Sequence, residues 1–555
     1  MSEDGDGDQR AFDPYSVGSS PDRAFWADAA ADAVESTDPD DPIVVKGGVS
    51  PSGVPHIGHL NELLRGYFVA EALRDRGHDV RQVFTADDRD RLRTVPRRLA
   101  DLEGTIVGLG EVDAGALGRN LGKPYTDIPD PFGCCDSYGD HFTEILRQDA
   151  RALGLDVDFV SNTDLYEDGT FDDVVAHVLA NQDAAREVLA DYQAKVDDDY
   201  VPFFAICEQC GQLTEGVTGV DLEAGTVDYR CVDAEAGDDV IEGCGHEGTA
   251  TFREGKLPWR FEWPAQWQVL DVDFEPFGKD HAEGSWPSGT HIAREVLGIE
   301  PPVPMVYEWF TLNGDALSSS AGNIITLDDV LELLEPEVLR YFFVKEPLKQ
   351  RDFDVAHLDL LVDEFDRFER IYFDEAEEVT QSERELAGRA YPMLVDEPRA
   401  DRVRIPYTFA AVLGMTDDIA LREEIARREG HIPDDAPHTV VEGALARVER
   451  ARAWARRTDN EFNYELKRAE LPAVALDDDT AAALDELAAF VADGHDGEAI
   501  QGEIYETAKR HDIDIGDFFA TGYRLFFDDD EGPQLGTFLG KLDRAFVVDR
   551  LRRER

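Results

Sequence analysis

The sequence predicts an α/β protein: a doubly wound parallel sheet, then an all-helical C-terminal region. Three observations predict it. Pro42-Ile43-Val44-Val45 leads through Gly47-Gly48 and Ser50-Pro51-Ser52-Gly53 into His56-Ile57-Gly58-His59 and an amphipathic segment, Leu60 to Leu73. A second strand-like run, Val80 to Phe84, ends at Thr85-Ala86-Asp87-Asp88. Such strands followed by helices favour a parallel sheet with ligands at the strand C-terminal ends. Residues 376–555 carry helical patterns throughout, with turns at Pro433-Asp434-Asp435 and Gly532-Pro533.

In chain order, residues 1–40 are an acidic segment, expected to lack regular structure over 1–20, and a helix over 22–35 with Phe25 and Trp26. The first half of the α/β domain spans 41–202, a cysteine-bearing insert 203–255, and the second half 256–326. The second half opens at Trp259 to Trp263, continues through Phe277-Gly278-Lys279-Asp280-His281, and has a strand-like Val303 to Phe310. A helical connector follows over 327–375, where Leu361, Phe365, Phe368 and Tyr372 make a core stripe, and helices fill 376–555.

Composition bounds the function. A chain of 555 residues should hold three or four domains. Its apolar content, 42%, suffices for ordinary cores, and no stretch reaches the roughly 20 apolar residues of a membrane helix. The acidic start is no secretory signal, so the protein is expected in the cytoplasm, away from membranes. A monomer is the expected state. Net charge is −65, from 119 acidic and 54 basic residues, and only ten of the basic residues are Lys. Self-repulsion of this size destabilises a compact state in dilute salt. It is screened when the Debye length falls to about 3 Å at 1 M salt. A halophilic cytosol near molar KCl is expected. The acidity argues against indiscriminate nucleic-acid binding but leaves room for a specific RNA read by shape, stacking and local Arg clusters.

The first loop has the chemistry of a phosphate site. A strand, a glycine turn and a helix start present backbone amides and the positive end of a helix dipole. His56 and His59, three apart, fall on one face of the first turn and can donate to phosphate oxygens. A second loop, Ala316-Leu317-Ser318-Ser319-Ser320-Ala321-Gly322-Asn323, follows a strand and precedes a helix, and Gly278-Lys279-Asp280-His281 lies between the two loops.

These motifs resemble the class I aminoacyl-tRNA synthetases, whose first motif reads His-Ile-Gly-His. Their second motif is a Lys-Met-Ser-Lys-Ser-like loop. Here both lysine places hold alanine, Ala316 and Ala321. Lys279, Lys46, an Arg near the site or Mg²⁺ then remains to balance the leaving pyrophosphate. Further stretches narrow the resemblance to the archaeal-type class I lysyl-tRNA synthetases. They are Thr85 to Pro96, Asp130-Pro131-Phe132-Gly133, Phe274 to His281, Tyr307-Glu308-Trp309-Phe310 and Gly532 to Gly536.

The resemblance implies a class I Rossmann-like catalytic domain and a C-terminal anticodon-binding domain over 376–555. It implies activation of L-lysine with ATP and Mg²⁺, then transfer to tRNA(Lys). His56, His59, Ser318, Ser319 and Ser320 would be catalytic. ATP would meet Pro51, Ser52, Gly53, Ile57, Gly58, Gly278, Asp280, Leu317, Ser318, Ser320, Gly322 and Asn323, besides the histidines. Lysine would meet Gly48, Ser50, Trp259, His281 and Tyr307. Asp87, Asp88, Asp90, Glu262 and Glu308 are candidates for its ammonium. A glutamyl enzyme, a nucleotidyl transferase or small-acid ligase sharing the first loop, and a non-catalytic tRNA-binding relative stay open.

The cysteines form a second constellation. Cys207-x2-Cys210, Cys231 and Cys244-Gly245-His246 crowd into one insert. Cys207, Cys210, Cys231 and Cys244 can make a closed four-thiolate Zn²⁺ site, with His246 as a replacement ligand. Its role would be structural, holding the insert for the tRNA acceptor end. Cys134-Cys135 are expected to be partly buried thiols, because a cytoplasmic disulfide is improbable.

Overall fold

Ile43–Val49 (β1) is the middle strand of a five-stranded sheet. Its other strands are Val80–Ala86 (β2), Asp158–Ser161 (β3), Phe274–Gly278 (β4) and Val303–Tyr307 (β5). The order is β5-β4-β1-β2-β3, and every pair is parallel. β1 and β2 pair from Ile43 opposite Val80 to Val49 opposite Ala86. β4, β5 and the first residues of β1 are buried, as strands covered by helices on both faces must be. The chain leaves β1 for β2 on one side and returns as β4 on the other. That reversal opens a crevice beyond the C-terminal ends of β1 and β4, where doubly wound sheets take their ligands.

The structure is a computed structural model that describes residues 12–193, 196–197, 199–236, 239–317 and 322–554. The helices Trp26–Glu35 (α1) and His59–Arg74 (α2) pack together. Phe25 and Trp26 meet Phe68 edge-on, with centroids 5.8 and 6.0 Å away.

Three expectations are corrected. α2 is not amphipathic: twelve of its residues are buried, including Asn61 and Arg65. The Arg65 guanidinium is satisfied internally, donating to the Phe343 and Lys345 carbonyls at 2.5 and 2.9 Å. Residues 12–20 are held against β5, where Val306 N–H donates to the Pro14 carbonyl at 3.0 Å. The segment after 327 is not wholly helical. Arg351–Phe353 is a strand that pairs parallel with Phe310–Leu312.

A buried cation network at the centre of the sheet was not visible in the sequence. Lys46, on β1, is 1% exposed and donates to Glu275 of β4 at 2.7 Å. Trp263 and Trp267 donate their indole N–H groups to the same carboxylate at 2.9 and 2.5 Å. Both come from the helix Trp259–Leu270 (α3). Three donors on one buried Glu fix the spacing between β1, β4 and α3, because a buried charge is tolerated only when paired.

The chain forms two compact units. One comprises 1–330, 339–354 and 377–396, and the other 331–338, 355–376 and 397–555. Regular structure in the second is helical. Its interior contains Arg447, which donates to Glu335 at 2.7 Å, Asp366 at 2.7 and 2.9 Å, and the Ile405 carbonyl at 3.0 Å. No helix among the described residues is long and apolar enough to cross a membrane.

Candidate active site

The crevice beyond β1 and β4 is a cavity of about 730 Å³. His56, Gly58 and His59 line it, as do Gly278, Asp280 and Leu317. So do Gly48, Ser50, Trp259, His281 and Tyr307. A second cavity of about 680 Å³ adjoins it, sharing Ser50, His59 and Arg93, and is lined by Pro51, Ser52 and Gly53.

α2 starts at His59, so His56 stands one turn ahead of it and not within its first turn. The rings still meet, with centroids 4.2 Å apart and planes at 31°. His56 Nδ1 accepts from Gly58 N–H at 3.0 Å, and His59 Nδ1 accepts from His56 N–H at 3.1 Å. A nitrogen that accepts a hydrogen bond carries no proton, so each ring's proton is on Nε2. Burial holds both rings neutral. His59 is pushed down to about 4 and His56, which also feels His59, to about 2. The site therefore presents two oriented neutral N–H donors. Gly58 makes this possible, because a Cβ there would lie 2.6 Å from His56 Cε1.

The end of the cavity beside β1 is built on Gly48 and Glu62. Gly48 N–H donates to Glu62 Oε1 at 2.6 Å, and Tyr307 O–H donates to Oε2 at 2.8 Å. A Cβ on Gly48 would stand 2.3 Å from Thr85 Oγ1, so only glycine fits. Burial, reinforced by Glu275, pushes the Glu62 carboxyl up to about 7. Asp87 is buried and accepts from Gln266 Nε2 at 2.9 Å and Asn162 Nδ2 at 3.4 Å. Burial, with Glu262 and Asp90 nearby, raises it well above the carboxylate range. A cation entering here would relieve both groups. Trp259 stacks on Trp263 at 5.5 Å, and His281 Nδ1 meets Ser285 Oγ at 2.8 Å, which gives the wall an aromatic face.

The geometry sorts the carboxylates that the sequence left unranked. Glu262 is paired with buried Lys256 at 2.7 Å and accepts from Tyr166 O–H at 2.9 Å. Glu308 is paired with Lys279 at 2.8 Å. Asp88 accepts from Thr163 N–H at 2.8 Å and does not line the cavity. Asp87 and Asp90 do line it, and Asp90 is shared with Lys256. Glu62 was missed by sequence reasoning. It sits in a helix where an acid usually faces solvent, and only its packing against Gly48 and Tyr307 singles it out.

Two side-chain clusters can hold a metal. The Sγ atoms of Cys207, Cys210, Cys231 and Cys244 lie within 4.8 Å of one another, with Cys207–Cys244 at 3.6 Å and Cys210–Cys231 at 3.7 Å. Tetrahedral zinc with Zn–S near 2.3 Å requires S–S edges of about 3.8 Å, so the set fits. His246 is not part of it. Its Nε2 meets Glu208 at 2.8 Å.

The second cluster joins Asp130, Cys134, Cys135 and His141. Cys134 is exposed and Cys135 half-buried, and the Cys134 Sγ lies 3.2 Å from Asp130 and 3.3 Å from His141 Nδ1. His141 Nε2 faces the Ala100 carbonyl at 2.9 Å, which fixes its proton there and leaves the Nδ1 lone pair toward the cluster. The sequence did not suggest this grouping, because its members come from a loop and a helix.

The family described as tRNA synthetases class I (K) matches residues 24–391. The chain belongs to this family of class I tRNA synthetases. It is similar to the lysine–tRNA ligase of Haloarcula marismortui, 73% identical over 98% of this chain and 99% of that protein. The lysine–tRNA ligase of Natronomonas pharaonis is 70% identical over 98% and 99%. That of Pyrococcus horikoshii is 33% identical over 95% and 99%.

Against this synthetase frame, most expected site residues converge on the two cavities. Ile57 does not line either one. Its side chain is fully buried, and its N–H donates to the Ile325 carbonyl at 3.1 Å, tying the first loop to the end of the second. Asn323 closes the neck of the second loop by donating to the Ala316 carbonyl at 2.9 Å. Gly322, at φ +81°, turns the chain beside it. Ser318, Ser319, Ser320 and Ala321 lie outside the described residues. Lys46 is excluded as the missing loop cation by its buried bond to Glu275.

Proposed function

We propose that the chain is a lysine–tRNA ligase, which activates L-lysine with ATP and transfers it to the terminal ribose of tRNA(Lys). One observation carries the amino-acid assignment. The end of the cleft beside β1 offers Glu62, Asp87 and aromatic faces, and its buried Lys256 is already paired with Asp90 and Glu262. A glutamate side chain would find that buried lysine already engaged, whereas an ammonium finds carboxylates and rings. The nearly full-length similarity to lysine–tRNA ligases points the same way.

In this reading a lysine carboxylate oxygen attacks the α-phosphorus of ATP. The bond to the bridging oxygen breaks, and its electron pair leaves with pyrophosphate. A carboxylate is already a nucleophile, so positioning and charge stabilisation carry the catalysis. His56 and His59 direct Nε2–H donors at the phosphoryl oxygens, where charge grows in the transition state. Gly48, Ser50 and Tyr307 orient the amino acid, and Glu62 takes the charge of an ammonium. Gly278 lets adenosine approach the backbone, and Asp280 takes a ribose hydroxyl. Mg²⁺ supplies neutralisation of the triphosphate through oxygen coordination. The helices of 397–555 would read the anticodon through Arg and aromatic side chains.

The deciding experiment is aminoacylation of total tRNA with labelled lysine, and separately glutamate, at about 2–3 M KCl, where the Debye length is below about 3 Å. Lysine charging is expected. Glutamate charging would overturn the pocket assignment, and no charging by folded protein would favour the non-catalytic relative that Ala316 and Ala321 raise.

The four-cysteine cluster is proposed to hold structural zinc, and the Asp130 cluster a second ion. Metal analysis of protein purified without chelator is expected to find about two zinc ions per chain. Cys210→Ser should lose one and Cys134→Ser the other. A metal-free protein with full stability would contradict both sites.

A further inference from the structure

The loop that carries two lysines in the resembling enzymes has alanine at both places here, at 316 and 321. Three arginines line the cavity beside that loop. Arg93, Arg97 and Arg98 line the second cavity, opposite the Pro51-Ser52-Gly53 turn. That turn is anchored by Tyr138, whose O–H donates to the Ser52 carbonyl at 2.9 Å. The cavity joins the histidine site through Val49, Ser50, His59 and Arg93. Arg98 also reaches the second loop. A Cβ built on Gly322 would lie 3.5 Å from its Cζ and 3.6 Å from its Nε.

These arginines are unusual in so acidic a chain. Neighbouring Arg89 and Arg91 are buried and paired with Glu167 and Glu215. Arg93, Arg97 and Arg98 are exposed, and among the described residues none has a carboxylate at ion-pair distance or a side-chain hydrogen bond. Among the described residues, the only acid in the cavity wall is Asp90, which is shared with Lys256. The competing lysines are engaged: Lys46 with Glu275, Lys256 with Asp90 and Glu262, and Lys279 with Glu308. Three unpaired guanidiniums around a glycine turn, one of them beneath the second loop, make a pocket for a polyanion.

We infer that Arg98, with Arg93 beside it, supplies the cation that the second loop lacks and holds the β- and γ-phosphates as pyrophosphate departs. The inference rests on the ligase reading. When the α-phosphorus bond breaks, the electron pair stays on the bridging oxygen of pyrophosphate, and the growing charge needs a fixed partner. A guanidinium suits molar salt. Its planar fork binds phosphate oxygens bidentately at contact distance, inside the roughly 3 Å beyond which such salt screens charge.

The test uses the full chain at about 2 M KCl, chosen for the same screening. Binding of inorganic pyrophosphate is measured by calorimetry for the wild type, Arg98→Ala, Arg93→Ala and Arg98→Lys. ATP–pyrophosphate exchange is measured alongside. Arg98→Ala is expected to weaken pyrophosphate binding about tenfold or more and to slow exchange about 10²-fold, the loss typical of one oxyanion donor. The KM for lysine and transfer from preformed lysyl-adenylate to tRNA should be unchanged. Arg98→Lys should fall between. Ala321→Lys in the Arg98→Ala chain should restore exchange by returning the charge to the loop, a rescue that a merely structural role would not allow. Unchanged pyrophosphate binding in both alanine variants would overturn the inference while leaving the ligase reading intact. Absence of lysine charging by the wild type would strike the ligase reading, and pyrophosphate binding would still judge the arginine pocket.

Discussion

His59→Ala is expected to slow lysyl-adenylate formation by about 10²–10³-fold, with His56→Ala of similar size, because each removes one oriented donor to the transferring phosphoryl group. Each ring is held by a backbone N–H on Nδ1, so it does not have to be ordered when the charge appears. Asparagine at either place should recover part of the loss, since it keeps a donor without the ring. The pH profile gives a second check. Burial keeps both rings neutral down to about 4 at His59 and about 2 at His56, against an ordinary value of 6.5. Catalysis by neutral donors should therefore show no histidine titration between pH 6 and 8. A rate that rose on acidification through 6.5 would mean that an imidazolium is the working form. Depressed pKa values also act on stability, and here the sign is fixed. The unfolded chain takes up these protons first, so the stability the two rings contribute is complete above 6.5. It is lost as the pH falls toward the folded values. ATP–pyrophosphate exchange measures the first effect, and unfolding at a series of pH values the second.

Removal of salt is expected to unfold the protein. A net charge of −65 on 555 residues has no compensation beyond local pairs. Those pairs are numerous but local. Arg76 reaches Asp28, Asp32 and Glu35, and Arg447 reaches Glu335 and Asp366. They satisfy individual carboxylates and leave the surplus acid repelling itself. Lowering salt from about 2 M to 0.1 M lengthens the Debye length from about 2 Å to about 10 Å, so charges that were mutually invisible begin to interact. The lost stability should be comparable to the roughly 5–15 kcal/mol that holds a whole domain. Circular dichroism during dialysis measures it. Tryptophan fluorescence separates the two compact units, because Trp259, Trp263, Trp267 and Trp286 report one and Trp454 the other. An unchanged melting temperature at 0.1 M salt would contradict the expectation.

Much of the sheet and the first loop could be read from the sequence because they are local. The apolar run at Ile43, the glycines at 47 and 48 and the histidine pair lie within a few residues of one another, and the structure keeps them together. The four-cysteine cluster was legible because its members crowd into one stretch, Cys207 to Cys244, with a close Cys207-x2-Cys210 pair. Features built by distant contacts were not. Glu62 and Tyr307 are 245 positions apart, and Lys46 and Glu275 229 apart. Nothing in the local pattern distinguishes such a carboxylate from the many solvated ones. The buried character of α2 was also hidden, because Asn61 and Arg65 look like a polar face and become interior only when the carbonyls of 308, 343 and 345 arrive. His246 lies outside the four-sulfur group, with its Nε2 against Glu208.

The bond from Ile57 N–H to the Ile325 carbonyl has a consequence for how the site can vary. It joins the two nucleotide loops through main-chain atoms alone, so changes of side chain at either end leave it in place. The second loop could then lose both lysines without losing its tether to the histidines. Among the twenty amino acids, only proline at 57 would abolish the donor outright. The attachment is thus nearly invisible to point mutation, while the charges around it are open to exchange.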